Sequence, residues 1–254
     1  MRYTFSFSFL FCFAVTLTAQ ELADSTPLCS TTVSLITYTK QPSDTRLYFV
    51  CVHEDESTGT EAAKKVIDNN GGVFTYLHHA QTRTVSFTCG ASVYTFDPNR
   101  IFTDSGRRKT LEKLSHWNAY GDSIVKGFAA SLLKKMKEAE HIVALHNNTN
   151  ANYSISSYLN GGSEYGNAAK IYINKKEDAD DFIFTTDENI FRACKKLKLN
   201  VALQDNVHCF DDGSLSVYCG RRNISYTNIE AEHGHLQKQM EMILALKKIT
   251  DSLH

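Results

Sequence analysis

The sequence predicts a single α/β domain with a mixed central β-sheet and helices on both faces. Short β-branched and apolar runs alternate with amphipathic segments of helical period along most of the chain, the pattern of a sheet covered on both sides. The 254 residues, 42% of them hydrophobic, suffice for one sizeable core. No segment recurs at the period of repeat folds and none is low in complexity.

The first residues stand apart. Arg2 supplies a positive start, Phe5 to Leu17 is aromatic and aliphatic, and Ala19-Gln20 offers a small-residue exit before the polar run from Glu21. Residues 1–20 are therefore expected to form a signal peptide, with 21–254 as the folded domain. The apolar run is shorter than the roughly 20 residues that span a bilayer, so no membrane anchor is expected after cleavage, and the mature chain is expected to be secreted or periplasmic. Of seven cysteines, Cys12 leaves with the signal. The other six are Cys29, Cys51, Cys89, Cys194, Cys209 and Cys219, an even set that permits disulfides after export. Cys209 and Cys219 flank Asp211-Asp212-Gly213, read as a hairpin turn that a bridge would span; buried free thiols are the competing reading.

From there the elements follow in order. Val33–Tyr38 and Leu47–Val52 read as strands. Thr58–Asn69 reads as a helix, with Ser57 as its cap and Gly71-Gly72 as its stop. Val73–Leu77, Thr84–Thr88 and Ser92–Phe96 are short strands. Leu111, Leu114, Ile124, Val125, Phe128, Leu132 and Met136 recur at helical spacing and predict one long helix over Lys109–Ala139, which Gly121 could interrupt. His141–Leu145 is strand-like, and Asn147–Tyr165 is a polar, substrate-facing loop. Ile171–Ile173, Asp181–Phe184, Asn200–Leu203, Ser216–Cys219 and Ile224–Ile229 read as strands, with helices over Glu188–Lys198 and Leu236–Leu253.

Charge excludes some classes. With 27 basic against 28 acidic residues, the net charge of −1 gives no nucleic-acid footprint and no polybasic membrane patch. No CxxC pair is present, which argues against a cysteine zinc site.

Chemistry is sought at the carboxyl ends of strands, where open α/β sheets place their sites. His53 and Glu56 lie three apart where an apolar strand turns into a helix, so an imidazole and a carboxylate can converge on one ion. His146 ends another apolar strand and can supply a third ligand. Asn99 and Arg100 follow a third strand and would clamp a substrate carboxylate, or merely shape a turn. Glu230 and Glu232 lie two apart near a strand end, and either could move a proton beside a metal.

Taken in order, His53-x-x-Glu56, Asn99-Arg100, His146 and Glu230 resemble the zinc carboxypeptidases and their relatives, the aspartoacylase and succinylglutamate desuccinylase group. The runs Asp97-Pro98-Asn99-Arg100-Ile101-Phe102, Leu145-His146-Asn147-Asn148-Thr149 and Ile229-Glu230 are similar to segments of the second group especially. The resemblance implies a zinc-dependent hydrolase over 21–254 that cleaves an amide bond next to a free carboxylate. In it His53, Glu56 and His146 would bind Zn2+, Glu230 would be the general base and acid, and Asn99 and Arg100 would grip the carboxylate of the released residue. The substrate would be a peptide or an N-acyl amino acid; a non-catalytic binding module on the same fold is the third reading. A further arginine of the family's pattern has no match at Ser92; Arg83 is the first choice, with Arg107, Arg108, Arg221 and Arg222 as others.

Overall fold

A computed structural model describes residues 18–42, 46–150 and 152–253. Most of the signal segment expected over 1–20 thus falls outside the described residues. Among them, no helix is long and apolar enough to cross a membrane.

The apolar run Leu47–Cys51 (β3), buried at all five positions, lies in the middle of a nine-stranded sheet. Preceding it in the chain are β1 (Gln20–Leu28) and β2 (Thr31–Lys40); following it are β4 (Gly72–His78), β7 (His141–Asn148), β8 (Ala168–Tyr172), β9 (Phe182–Thr185), β10 (Val201–Gln204) and β11 (Ser225–Glu232). The spatial order is β1-β2-β4-β3-β7-β11-β9-β10-β8. Strands β4, β3, β7 and β11 run parallel, and antiparallel pairs flank them, so the sheet is mixed. The hairpin β5 (Val85–Cys89) and β6 (Ser92–Phe96) forms a separate two-stranded sheet.

Side chains of β3 alternate between two cores. Leu47, Phe49 and Cys51 face one side, against α1 (Ser57–Asn70), α4 (Glu188–Lys196) and α6 (Leu236–Leu253) through Ala62, Val66, Ile190, Met242 and Leu246. Tyr48, Val50 and Val52 face the other, against α2 (Asp104–Leu114), α3 (Ala119–Lys135) and the β5–β6 hairpin through Phe87, Phe96, Leu111 and Phe128. The helices lie on both faces, as the alternating pattern predicts.

Four readings change. The helix expected over Lys109–Ala139 is two helices, α2 and α3, because Ser115 leaves helical geometry and the Asn118 side chain caps the second helix at the Gly121 amide. Gly121 sits inside the first turn of α3, where a Cβ would run into the Tyr94 ring. The strand expected over Ser216–Cys219 is α5 (Leu215–Gly220): Gly213 takes a positive φ of 82° and Ser214 caps the helix, and so short an apolar run carries no period of its own. With no hairpin there, Cys209 and Cys219 stay as buried free thiols, and the disulfide joins Cys29 to Cys89, their Cα atoms 5.4 Å apart. Ser57 is the first residue of α1 rather than its cap; Glu56 occupies the cap position with its side chain turned elsewhere. Strand β1, almost wholly exposed and polar, has none of the alternation that would mark it, and charged residues and a proline suit it to a sheet edge.

One close crossing fixes the β6–α2 loop. The backbones of Gly106 and Gly213 pack so tightly that a Cβ on Gly213 would lie 2.3 Å from the Arg100 carbonyl oxygen, and one on Gly106 would lie 2.1 Å from Gly213 Cα. The Phe102 amide donates to the Gly213 carbonyl across the same contact.

Candidate metal centre and active site

Because β3, β7 and β11 are parallel neighbours, their carboxyl ends meet at one edge of the sheet. The turn after β3 carries His53 and Glu56, the end of β7 carries His146, and the end of β11 carries Glu230. His146 and Glu230 are direct partners in the parallel register, so they share one face at one level.

His53, Glu56 and His146 converge. The two Nδ1 atoms face each other at 3.2 Å; Glu56 Oε1 lies 2.9 Å from His53 Nδ1, and Oε2 lies 2.7 Å from His146 Nδ1. All three side chains are buried. Behind His53, Asp97 Oδ1 bonds Nε2 at 2.8 Å, which orients the ring with Nδ1 toward the cluster. Burial alone would pull the His53 pKa down, yet Glu56 and Asp97 reverse this and hold it at about 9. Both carboxyls sit well below their usual range: burial would raise them, but the histidines hold Glu56 down, and His53, Arg100 and Arg83 hold Asp97 down. Two carboxylates stay ionised in a buried pocket of imidazoles.

Arg83 reaches this cluster, its Nη1 donating to Glu56 Oε1 at 2.6 Å and its Nε 3.7 Å from Asp97 Oδ2. The other arginines do not. Arg107 is engaged with Asp104 and Asp122, Arg108 with Glu112, Arg221 with Asp211, and Arg222 lies over the Tyr218 ring. Asn99 is held by Leu215, whose amide donates to Oδ1, and its Nδ2 faces His146 Nε2 at 3.4 Å. Arg100 stands at the rim with Nη1 3.2 Å from Asp212 Oδ2.

Glu230 is buried and accepts a hydrogen bond from Asn228 Nδ2 at 2.8 Å. Burial lifts its pKa and the Glu56 charge adds to this, against the pull of His146 and Asn228. Glu232 points toward a different neighbour, His235, 3.6 Å away. Glu56, Arg83, Asn99, Arg100, His146 and Glu230 line one cavity of about 470 Å³, and Glu232 does not. The residues singled out in the sequence therefore come together, apart from the alternatives at Glu232 and the four other arginines. Sequence reasoning assigned no role to Asp97, although its place directly after a strand and before Pro98 was the available signal. It also missed Asn228, which lies mid-strand.

No protein-family model and no curated protein matches the chain. Among solved structures, thrombin activatable fibrinolysis inhibitor aligns with a TM-score of 0.50 and 11% identity, over 94% of this chain and 72% of that one. The fold is zinc carboxypeptidase-like. Lower in similarity are an aspartoacylase family protein from Mesorhizobium loti, with a TM-score of 0.44 and 11% identity over 92% of this chain and 66% of that one, and the murein-tripeptide amidase of Escherichia coli O157, with 0.41 and 10% over 85% and 86%.

In this carboxypeptidase-like fold the cluster fits a divalent metal on its own chemistry. Two imidazole nitrogens and a carboxylate form a nitrogen-and-oxygen set of the kind that holds transition metals. An ion roughly 2.05 Å from each nitrogen in tetrahedral geometry would set them about 3.3 Å apart, close to the 3.2 Å observed. Asp97 behind His53 completes a carboxylate–histidine pair.

Proposed function

We propose that the chain is an exported zinc hydrolase that cleaves an amide bond next to a free carboxylate, acting on peptides as a metallocarboxypeptidase. The observation that carries this is the convergence of His53, Glu56 and His146 in one buried cluster, of which Glu56 and His146 line a cavity shared with Glu230, Asn99 and Arg100. When bound, zinc supplies Lewis acidity at the scissile carbonyl and lowers the pKa of water toward about 7. The chain's own residues do the rest. Glu230, with a raised pKa, takes a proton from the attacking water and returns it to the leaving nitrogen. Arg100, half-open at the rim, accepts the substrate carboxylate bidentately in exchange for its contact with Asp212, and Asn99 adds an amide. Arg83 steadies the Glu56 carboxylate. Export is supported by the apolar N-terminal run and by a disulfide between Cys29 and Cys89, which suits an oxidising compartment.

The second reading, an N-acyl amino acid amidohydrolase, is favoured by the runs around Asp97–Phe102 and Leu145–Thr149, which are most similar to the aspartoacylase group. Amino-acid release from peptides against release from N-acyl amino acids separates the two. About one zinc per chain is expected in the wild type and almost none in His53→Ala and His146→Ala. Glu230→Gln should keep the zinc while losing roughly 10²–10⁴ in turnover. A folded wild type that binds no zinc when offered it sinks the proposal and leaves a binding module on this fold.

A further inference from the structure

The cavity continues past Glu230. On β11 Asn228 lies two residues earlier and on the same face, roughly 7 Å deeper along the strand. It lines the cavity and is 8% exposed. Its Nδ2 is committed to the Glu230 carboxylate, so its Oδ1 is the end turned away, and that oxygen is buried with no donor among the described residues. A buried carbonyl oxygen is costly to leave in this state.

The wall here is polar: Gln204, Ser214 and Ser216 are uncharged, while Glu230 beside Asn228, and Asp212 and Glu164 on the same cavity, carry carboxyls. Gln204 spends its Nε2 on Asn206 Oδ1 and the Ser216 carbonyl. The Ser214 and Ser216 hydroxyls share one hydrogen bond at 3.0 Å, which uses one of their two protons and leaves the other to donate. Tyr158 and Phe184 stack with centroids 4.9 Å apart and present aromatic surface to the cavity.

We propose that this recess holds the side chain of the released residue and selects a carboxamide. The N–H of the amide satisfies Asn228 Oδ1, a serine hydroxyl donates to its carbonyl, and its flat face lies against the aromatic pair. An ammonium would satisfy the Asn228 oxygen but offer the serine hydroxyl no acceptor, whereas a carboxamide supplies both partners. An apolar side chain would leave the Asn228 oxygen unpaired. The proposal rests on the hydrolase reading above.

The test uses the zinc-loaded protein and matched N-acylated dipeptides ending in Gln, Lys, Glu and norleucine, with kcat/KM measured for each. The Gln substrate is expected to lead norleucine at least roughly 10-fold. In Asn228→Leu that ratio should fall to one or invert; read within the variant, it is insensitive to any general loss through Glu230. Asn228→Asp, which keeps the shape, should move the preference to Lys, and thermal melting confirms that each variant is folded. Wild-type cleavage led by norleucine, Lys or Glu overturns the carboxamide assignment while leaving the hydrolase reading intact. A Gln preference that survives in full in folded Asn228→Leu overturns the role of Asn228. Cleavage of no substrate in either the peptide or the N-acyl amino acid series overturns the hydrolase reading and this inference with it.

Discussion

At the scale of single residues, the site is a chain of carboxylates, each giving an imidazole or guanidinium its direction. Asp97 holds His53, Glu56 bridges His53 and His146, and Arg83 holds Glu56. Asp97 touches no proposed substrate, yet it decides which His53 nitrogen faces the candidate metal site. Asp97→Asn is therefore expected to weaken zinc binding by roughly 10–100-fold with little change in fold, measured by competition with a chelator; unchanged affinity would remove the orienting role. The candidate ligands were legible in the sequence because His53 and Glu56 follow one apolar strand and His146 lies toward the end of another. Asp97 was harder to see because its partner is 44 positions away in the chain. Asn147 shows the converse: read alone it begins a glycosylation sequon, but its amide donates to the Ala231 carbonyl and Gln239 and accepts from Gly59, so the folded chain has no free nitrogen there to modify.

At the scale of elements, β7 joins two unlike environments. Its carboxyl end reaches the candidate metal site, while at its start His141 is buried between the hydroxyls of Ser225 and Thr227, 2.6 and 2.9 Å away. Burial pushes the His141 pKa down to about 4 from 6.5, against a weaker upward pull from Asp187. Above pH 6.5 the ring is neutral in both folded and unfolded chains, and it costs nothing. As pH falls from 6.5 toward 4, the unfolded chain takes up a proton that the folded one refuses, and about 3 kcal/mol of stability goes with it. Denaturant unfolding near pH 7 and pH 4.5 should show a smaller acid loss in His141→Gln than in the wild type; parallel losses would exclude His141 as the cause. The strands and helices built on long, periodic or fully apolar runs were legible, among them β3, β6, β7 and α6. What escaped was short or polar. The four-residue run at Ser216–Cys219 fits a strand or a helix equally, and β1 is identified by its pairing with β2 rather than by its own residues.

At the scale of the whole molecule, the candidate metal ligands and Glu230 lie on or just after strands of the large sheet, whereas Asn99 and Arg100 follow the separate β5–β6 hairpin. The Cys29–Cys89 disulfide ties that hairpin to the β1–β2 turn across 60 residues of chain. Replacing both cysteines by serine should cost roughly 2–4 kcal/mol, read as a lower urea midpoint under non-reducing conditions; an unchanged midpoint would show that the hairpin holds without it. The cysteine count foretold a bridge but not its partners, since pairing depends on which chain ends the sheets bring together. The crossing of Gly106 with Gly213 ties the same loop from the other side, backbone against backbone. Through it, two positions far apart in the gene behave as a single inherited character. A side chain gained at either one would displace the other along with the Arg100 carbonyl, so while the crossing persists both positions are open to glycine alone.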